Sequence, residues 1–230
     1  MLRRAAVAGL LLAWTAAPAR AQIPTLPRFE AGQTSIGLLL GPSWPTGTNG
    51  FASVAGRGYG AGLQLLYYPW DWIAFGPAFG MTQFGKQDIR ADSGRITGLG
   101  KATVSHLSLL TRLNMVRGES WTPYLLGGVG YHLFSHTADA QGSAGAVVCA
   151  DTSAPATCAA QKSFTTTAEG LLVTGAAGAE FFYGTGLSLS LETRYQRFQV
   201  PRIPAASIPL PSGAAESVTV NLAAHLWLGL

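Results

Sequence analysis

The chain has 230 residues, of which 48% are hydrophobic, only 11% are charged and 29 are glycine. A soluble domain usually carries about 25% charged residues, and no stretch after residue 21 approaches the roughly 20 consecutive apolar residues of a transmembrane helix. The composition therefore argues against an ordinary soluble domain and against a helical membrane protein. It favours alternating strands, which distribute apolar residues along the whole chain.

The first 21 residues have the order of a secretory signal peptide. Arg3 and Arg4 form a positively charged start, and Ala5–Ala17 is an apolar run that is too short to span a bilayer. Residues 19–21 (Ala-Arg-Ala) match a small-residue cleavage pattern, so we expect an exported mature domain of residues 22–230. Three arginines leave with the signal, and 12 basic residues against 11 acidic ones give the mature chain a net charge of +1. Without a basic patch, nucleic acid is not an expected partner.

Eight segments alternate apolar residues with small or polar ones, at the period of two that is typical of β-strands. The alternation is clearest near the C-terminus, where Val218, Val220 and Leu222 share one face while Thr219 and Asn221 share the other. Most segments have nine or more residues, which is the length that a tilted strand needs to cross a bilayer. The predicted strands are residues 33–41, 58–68, 72–84, 101–116, 121–135, 168–182, 186–199 and 216–230.

The connections between these strands alternate between long and short. The short ones lie at residues 69–71, 117–120 and 183–185, and the long ones near residues 42–57, 85–100, 136–167 and 200–215. In outer-membrane barrels the periplasmic turns are short and the extracellular loops are long. We therefore predict an all-β protein, an eight-stranded antiparallel up-and-down transmembrane β-barrel in a Gram-negative outer membrane, with both mature termini in the periplasm.

Aromatic residues near the strand ends predict two belts at the membrane interfaces. The belt near the short connections comprises Tyr67, Tyr68, Trp70, Trp72, Trp121, Tyr124, Phe181, Phe182, Tyr183 and Trp227. The belt toward the long connections comprises Trp44, Tyr59, Phe79, Phe84, Tyr131, Phe134, Tyr195 and Phe198.

Two segments resemble the OmpA-type outer-membrane β-barrel domains. Residues 121–131 (WTPYLLGGVGY) are similar to the strand pattern TPYxGxGxGY of that family, and residues 178–195 (GAEFFYGTGLSLSLETRY) resemble its later hairpin, GxEYxLxxxLSLxxEYRY. With the strand rhythm, the resemblance covers nearly all of residues 22–230. It implies a small, porin-like barrel with a polar core. It also implies contact with outer-membrane lipids and insertion by the outer-membrane assembly machinery, and we expect a monomer.

Four charged residues have inward parity and lie within several residues of a short connection: Arg112, Glu180, Glu192 and Arg194. The interior of an eight-stranded barrel is just wide enough for side chains to fill it, and buried charges need partners. We therefore predict that these residues form a salt-bridge network that plugs the periplasmic half of the barrel. A gated pore of low conductance is the alternative.

His106, His132 and His225 also have inward parity. If the connection near residues 118–120 sets the hairpin register, His106 and His132 lie opposite each other. A structural zinc site normally has four ligands, so we expect hydrogen bonding in the core, without a metal or another cofactor.

Cys149 and Cys158 lie in the longest connection. An exported chain meets an oxidising compartment, so we predict a disulfide bond between them that constrains a surface loop.

Four cationic residues surround the second long connection: Lys86, Arg90, Arg95 and Lys101. Arg and Lys pair well with phosphate, so these residues are candidates for contacts with lipid phosphates at the outer leaflet. The alternative is a solvated loop edge.

The sequence has no nucleophile elbow and no HExxH metal motif. We predict a non-enzymatic barrel that acts through its surface loops, with an unknown extracellular partner, or through envelope integrity. One alternative is a narrow channel for small or apolar solutes. A less favoured one is a lipid-modifying enzyme, which requires an outward-facing Ser/His cluster.

Overall fold

The computed structural model describes residues 31–46, 51–85, 87–90, 96–116, 120–140, 163–183, 186–200 and 213–229. These residues contain nine β-strands and one helical turn. In chain order they are β1 (Thr34–Thr46), α1 (Phe51–Val54), β2 (Gly58–Trp70), β3 (Ile73–Phe84), β4 (Gln87–Arg90), β5 (Ile96–Asn114), β6 (Trp121–Ala140), β7 (Ser163–Tyr183), β8 (Leu187–Val200) and β9 (Gly213–Leu228).

Eight of these strands form a closed antiparallel barrel. Successive strands pair along the chain, β3 pairs directly with β5, and β1 pairs with β9 to close the sheet. Strand β4 has four residues and pairs with β5 beside the barrel. The predicted eight-stranded antiparallel up-and-down barrel is therefore confirmed.

The strands extend further toward the long connections than the sequence predicts. Strand β5 begins at Ile96, not at residue 101, β6 ends at Ala140, and β7 begins at Ser163. Backbone pairing continues through these extensions, where Gly98 lies opposite Ala140 and Asp139 lies opposite Ser163. The exposed residues described in the extension of β7, Thr165 and Thr167, are polar, so the hydropathy alternation ends before the hydrogen-bonded ladder does.

The outward face of the barrel is apolar. Leu38, Leu107, Leu109, Val129 and Leu171 are between 55% and 72% exposed. Soluble proteins rarely expose apolar surface on this scale. The outward face is therefore better suited to contact with acyl chains than to contact with water. On β6 the outward residues from Trp121 to Leu133 span roughly 30 Å at the usual strand tilt, which is enough to cross the apolar band of about 25 Å in membrane barrels. No helix in the described part of the chain is long and apolar enough to cross a membrane.

The predicted aromatic belts are only partly correct. Tyr68, Tyr124 and Trp227 are buried inside the barrel near the short connections, and Phe182 packs against them. At the other end Phe84, Phe134 and Phe198 also point inward. Neighbouring residues of a strand point to opposite faces, so nearness to a strand end does not decide which face a ring occupies. The exposed members of both belts are Tyr67, Trp70, Trp72, Trp121, Phe181, Tyr183, Tyr59, Phe79, Tyr131 and Tyr195.

Candidate functional site

Inward-facing side chains fill the barrel, and those near the short connections form a charged cluster. Arg112 of β5 and Glu180 of β7 form an ion pair in which both side chains are 0% exposed. The Arg112 guanidinium lies 3.8 Å from the centroid of the Tyr124 ring. Trp227 Nε1 donates a hydrogen bond to Glu180 Oε1 at 3.2 Å, and the Ser188 hydroxyl donates to the same oxygen. Both buried charges therefore have partners on several strands.

A second ion pair lies next to the first in the lumen, further from the short connections. Arg194 Nε donates to Glu192 Oε1 at 2.8 Å, and both side chains are nearly or fully buried. The Tyr124 hydroxyl donates to Glu192 Oε2 at 3.0 Å, so Tyr124 contacts both ion pairs. Arg194 Nη2 also donates to Gln64 Oε1 at 3.3 Å. The structure thus brings Arg112, Glu180, Glu192 and Arg194 into one connected polar network.

Glycines opposite the large inward side chains make room for this network. A Cβ on Gly178 would lie 2.6 Å from Cζ of Tyr124 and 2.7 Å from the carbonyl oxygen of Leu191, closer than real Cβ contacts. A Cβ on Gly80 would lie 2.3 Å from Cε1 of His106. The narrow interior can hold an aromatic ring and an imidazole here because the facing residue has no side chain.

The buried histidines have hydrogen-bonding partners. His106 and His132 lie directly opposite each other in the β5–β6 ladder, which is the register expected from the sequence. Nε2 of His106 lies 3.2 Å from Nε2 of Gln196, and Nε2 of His132 lies 2.8 Å from the carbonyl oxygen of Gln199. Nε2 of His225 lies 2.9 Å from Oγ of Ser190. In the described ranges, no group of three or more His, Cys, Asp or Glu side chains is placed to hold a metal ion.

An aromatic cap closes the barrel toward the long connections, and it consists of Phe51, Phe84, Phe134 and Phe198. Phe51 of α1 is completely buried, and its ring centroid lies 5.1 Å from that of Phe84, 5.5 Å from Phe198 and 6.2 Å from Phe134, all edge to face. The sequence does not predict this cap, because Phe51 lies in the predicted connection at residues 42–57. The shared inward parity of the three strand phenylalanines was the signal that pointed to it.

A small cavity lies between the cap and the polar network. A cavity of about 20 Å³ is lined there by residues that include Thr82, His106, Arg194 and Gln196. That volume is enough for roughly one water molecule. A cavity of this size cannot hold a solute larger than a water molecule.

The other predicted site residues fall partly beyond the described residues. Lys101 is exposed near the beginning of β5, and the backbone of Arg90 lies in β4. Lys86, Arg95, Cys149, Cys158 and the signal peptide at residues 1–21 lie outside the described residues. The disulfide and the four-residue cationic cluster therefore stay predictions.

No protein-family model and no curated protein match this chain. Among solved structures, neisserial surface protein A is 12% identical with a TM-score of 0.49, over 85% of this chain and 97% of that chain. OprG from Pseudomonas aeruginosa is 11% identical with a TM-score of 0.49, over 89% and 100%. Ail, the attachment invasion locus protein of Yersinia pestis, is 11% identical with a TM-score of 0.47, over 86% and 99%. These neighbours are small eight-stranded outer-membrane barrels, and the OmpA-type resemblance stays a prediction.

Proposed function

We propose that this chain is a non-enzymatic, integral protein of the bacterial outer membrane whose barrel is closed to solutes. In this proposal it acts through its extracellular loops or by maintaining envelope integrity. The observation that carries the proposal is the filled lumen, in which the Arg112–Glu180 pair, the Glu192–Arg194 pair and the aromatic cap follow one another along the barrel. A narrow channel for small or apolar solutes would need a path that these side chains occupy.

The outward apolar band supports the membrane location, and the alternation of connection lengths supports the orientation. We place the short connections and both mature termini in the periplasm, and the long connections outside the cell. The proposal includes an OmpA-type domain at residues 22–230, export by a signal peptide cleaved after Ala21, insertion by the assembly machinery and a monomeric state. It also includes a disulfide between Cys149 and Cys158.

The positions of the histidines support a non-enzymatic role. All four histidines of the chain, His106, His132, His136 and His225, are buried in the barrel interior. A lipid-modifying barrel needs a Ser/His pair that faces the membrane, where its substrate lies. The histidines of this chain point away from that surface.

A complementation experiment separates a function in the loops from a function in the lumen. We expect that cells that lack the gene become more sensitive to detergents that an intact outer membrane excludes. A variant without residues 141–162, which connect β6 and β7, should fail to restore resistance. The double variant Arg112→Leu/Glu180→Leu should restore it, because it changes only the packing of the interior.

Folding of both variants is checked by gel mobility before and after boiling, since folded membrane barrels migrate differently from unfolded ones. Restoration by the loop deletion together with failure of the lumen variant would place the function in the lumen. Unchanged sensitivity in cells without the gene would contradict the role in envelope integrity.

A further inference from the structure

An outward-facing groove lies on β1, β2 and β3 toward the long connections, and its volume is ≈ 450 Å³. Its floor consists of Leu40, Ala61 and Met81, which the strand register places side by side. Leu40 and Met81 are long and exposed, whereas Ala61 between them is short. This difference in length produces an apolar depression in the lipid-facing surface.

Two cations border the same groove at the end that is nearest the long connections. Arg57 precedes β2, Lys101 belongs to β5, and both side chains are exposed. Tyr59 and Gln83 lie opposite each other in the β2–β3 ladder, two residues beyond the floor, and separate it from the cations. The eleven residues that line the groove include no aspartate or glutamate. The groove is therefore apolar at one end and positively charged at the other.

The height of the groove places its charged end at the level of lipid headgroups. Tyr59 is 77% exposed and is the outward-facing residue of β2 that lies next to Arg57 on the same face. Aromatic residues of this kind mark the membrane interface. A cation just beyond them can contact a phosphate while the adjacent apolar floor contacts an acyl chain.

We infer that this groove binds an anionic lipid, with its phosphate held by Arg57 and Lys101 and one acyl chain packed on Leu40, Ala61 and Met81. The inference rests on the membrane location in the proposed function and is independent of the closed lumen and the loops. It also gives Lys101, one of the four cations that are candidates for contacts with lipid phosphates, a partner and an adjacent apolar floor.

The test is native mass spectrometry of the full mature chain in a neutral detergent. Phosphatidic acid and phosphatidylcholine with identical acyl chains are titrated separately, and we expect phosphatidic acid to bind more tightly. Replacing Arg57→Gln and Lys101→Gln should weaken binding of phosphatidic acid by about five-fold for each charge removed. Ala61→Phe fills the floor while keeping both cations, and it should weaken binding as well.

Arg197→Gln is the matched control. Arg197 also faces outward near this end of the barrel, but it lies opposite Glu216 in the β8–β9 ladder. Its replacement should leave the affinity for phosphatidic acid unchanged, and gel mobility verifies that each variant is folded. Equal binding of the two lipids, or unchanged affinity in the Arg57→Gln/Lys101→Gln variant, would overturn the inference. Displacement of the lipid by an equal concentration of inorganic phosphate would also overturn it, because the acyl chain would then contribute nothing.

Discussion

Glu180→Ala is expected to lower the free energy of unfolding by about 3–5 kcal/mol, because removing one partner of a buried ion pair leaves the other charge uncompensated. The remaining charge is the Arg112 guanidinium, which is completely buried. The Ser188 hydroxyl would also lose its acceptor oxygen, and Trp227 Nε1 would keep only Ser188 Oγ of its two acceptors. The measurement is equilibrium unfolding in urea of the protein folded into lipid vesicles, monitored by tryptophan fluorescence.

Glu169→Ala is the matched control, since Glu169 lies on the same strand but is exposed on the outward face. Its loss should change the free energy of unfolding by no more than about 1 kcal/mol. The double variant Arg112→Leu/Glu180→Leu should recover most of the stability, because replacing both members of a buried pair by apolar residues is often neutral. An effect of Glu180→Ala no larger than that of Glu169→Ala would show that the ion pair does not stabilise the barrel.

Phe51→Ala is also expected to lower the free energy of unfolding by about 3–5 kcal/mol, which is the usual cost of removing a fully buried phenylalanine ring. Phe51 makes edge-to-face contacts with three rings of the aromatic cap. Those rings are anchored on β3, β6 and β8, so they cannot close the resulting space without moving strands. The same urea unfolding experiment measures the effect.

Phe79→Ala provides the comparison, because Phe79 is a phenylalanine on β3 that is 54% exposed on the outward face. Lipid chains can fill the space that its ring leaves, so no cavity forms and the loss of stability should be clearly smaller. If the two substitutions destabilise the protein equally, the aromatic cap is not a packed core.

Alternation and connection length were sufficient to predict the barrel. The parity of β9, with Thr219, Asn221 and His225 inward, is readable because its outward face is apolar from Val218 to Leu228. The alternation along β5 and β7 likewise predicts that Arg112 and Glu180 face the interior. What it did not reveal is which charges pair, since Arg112 lies on β5 and Glu180 on β7, and side chains of non-adjacent strands meet only across the lumen.

The remaining parts of the site depended on three-dimensional details that the pattern does not contain. The position of Tyr124 near a short connection predicts a place in an interfacial belt, yet Tyr124 lies between Arg112 and Glu192 because Gly178 leaves space for its ring. The sequence predicts Phe51 in a connection, since the short segment around it shows no strand period. Phe51 enters the barrel only because three inward phenylalanines from distant strands surround it.

The most direct test of the closed barrel is the ionic current through planar lipid bilayers fused with vesicles that contain the folded chain. The wild-type protein should add no current to that of the bare bilayer. Phe51→Ala should also add none, since the Arg112–Glu180 and Glu192–Arg194 pairs still fill the lumen. Stable single-channel steps from the wild-type protein, with folding verified by gel mobility in the same vesicles, would contradict the filled interior.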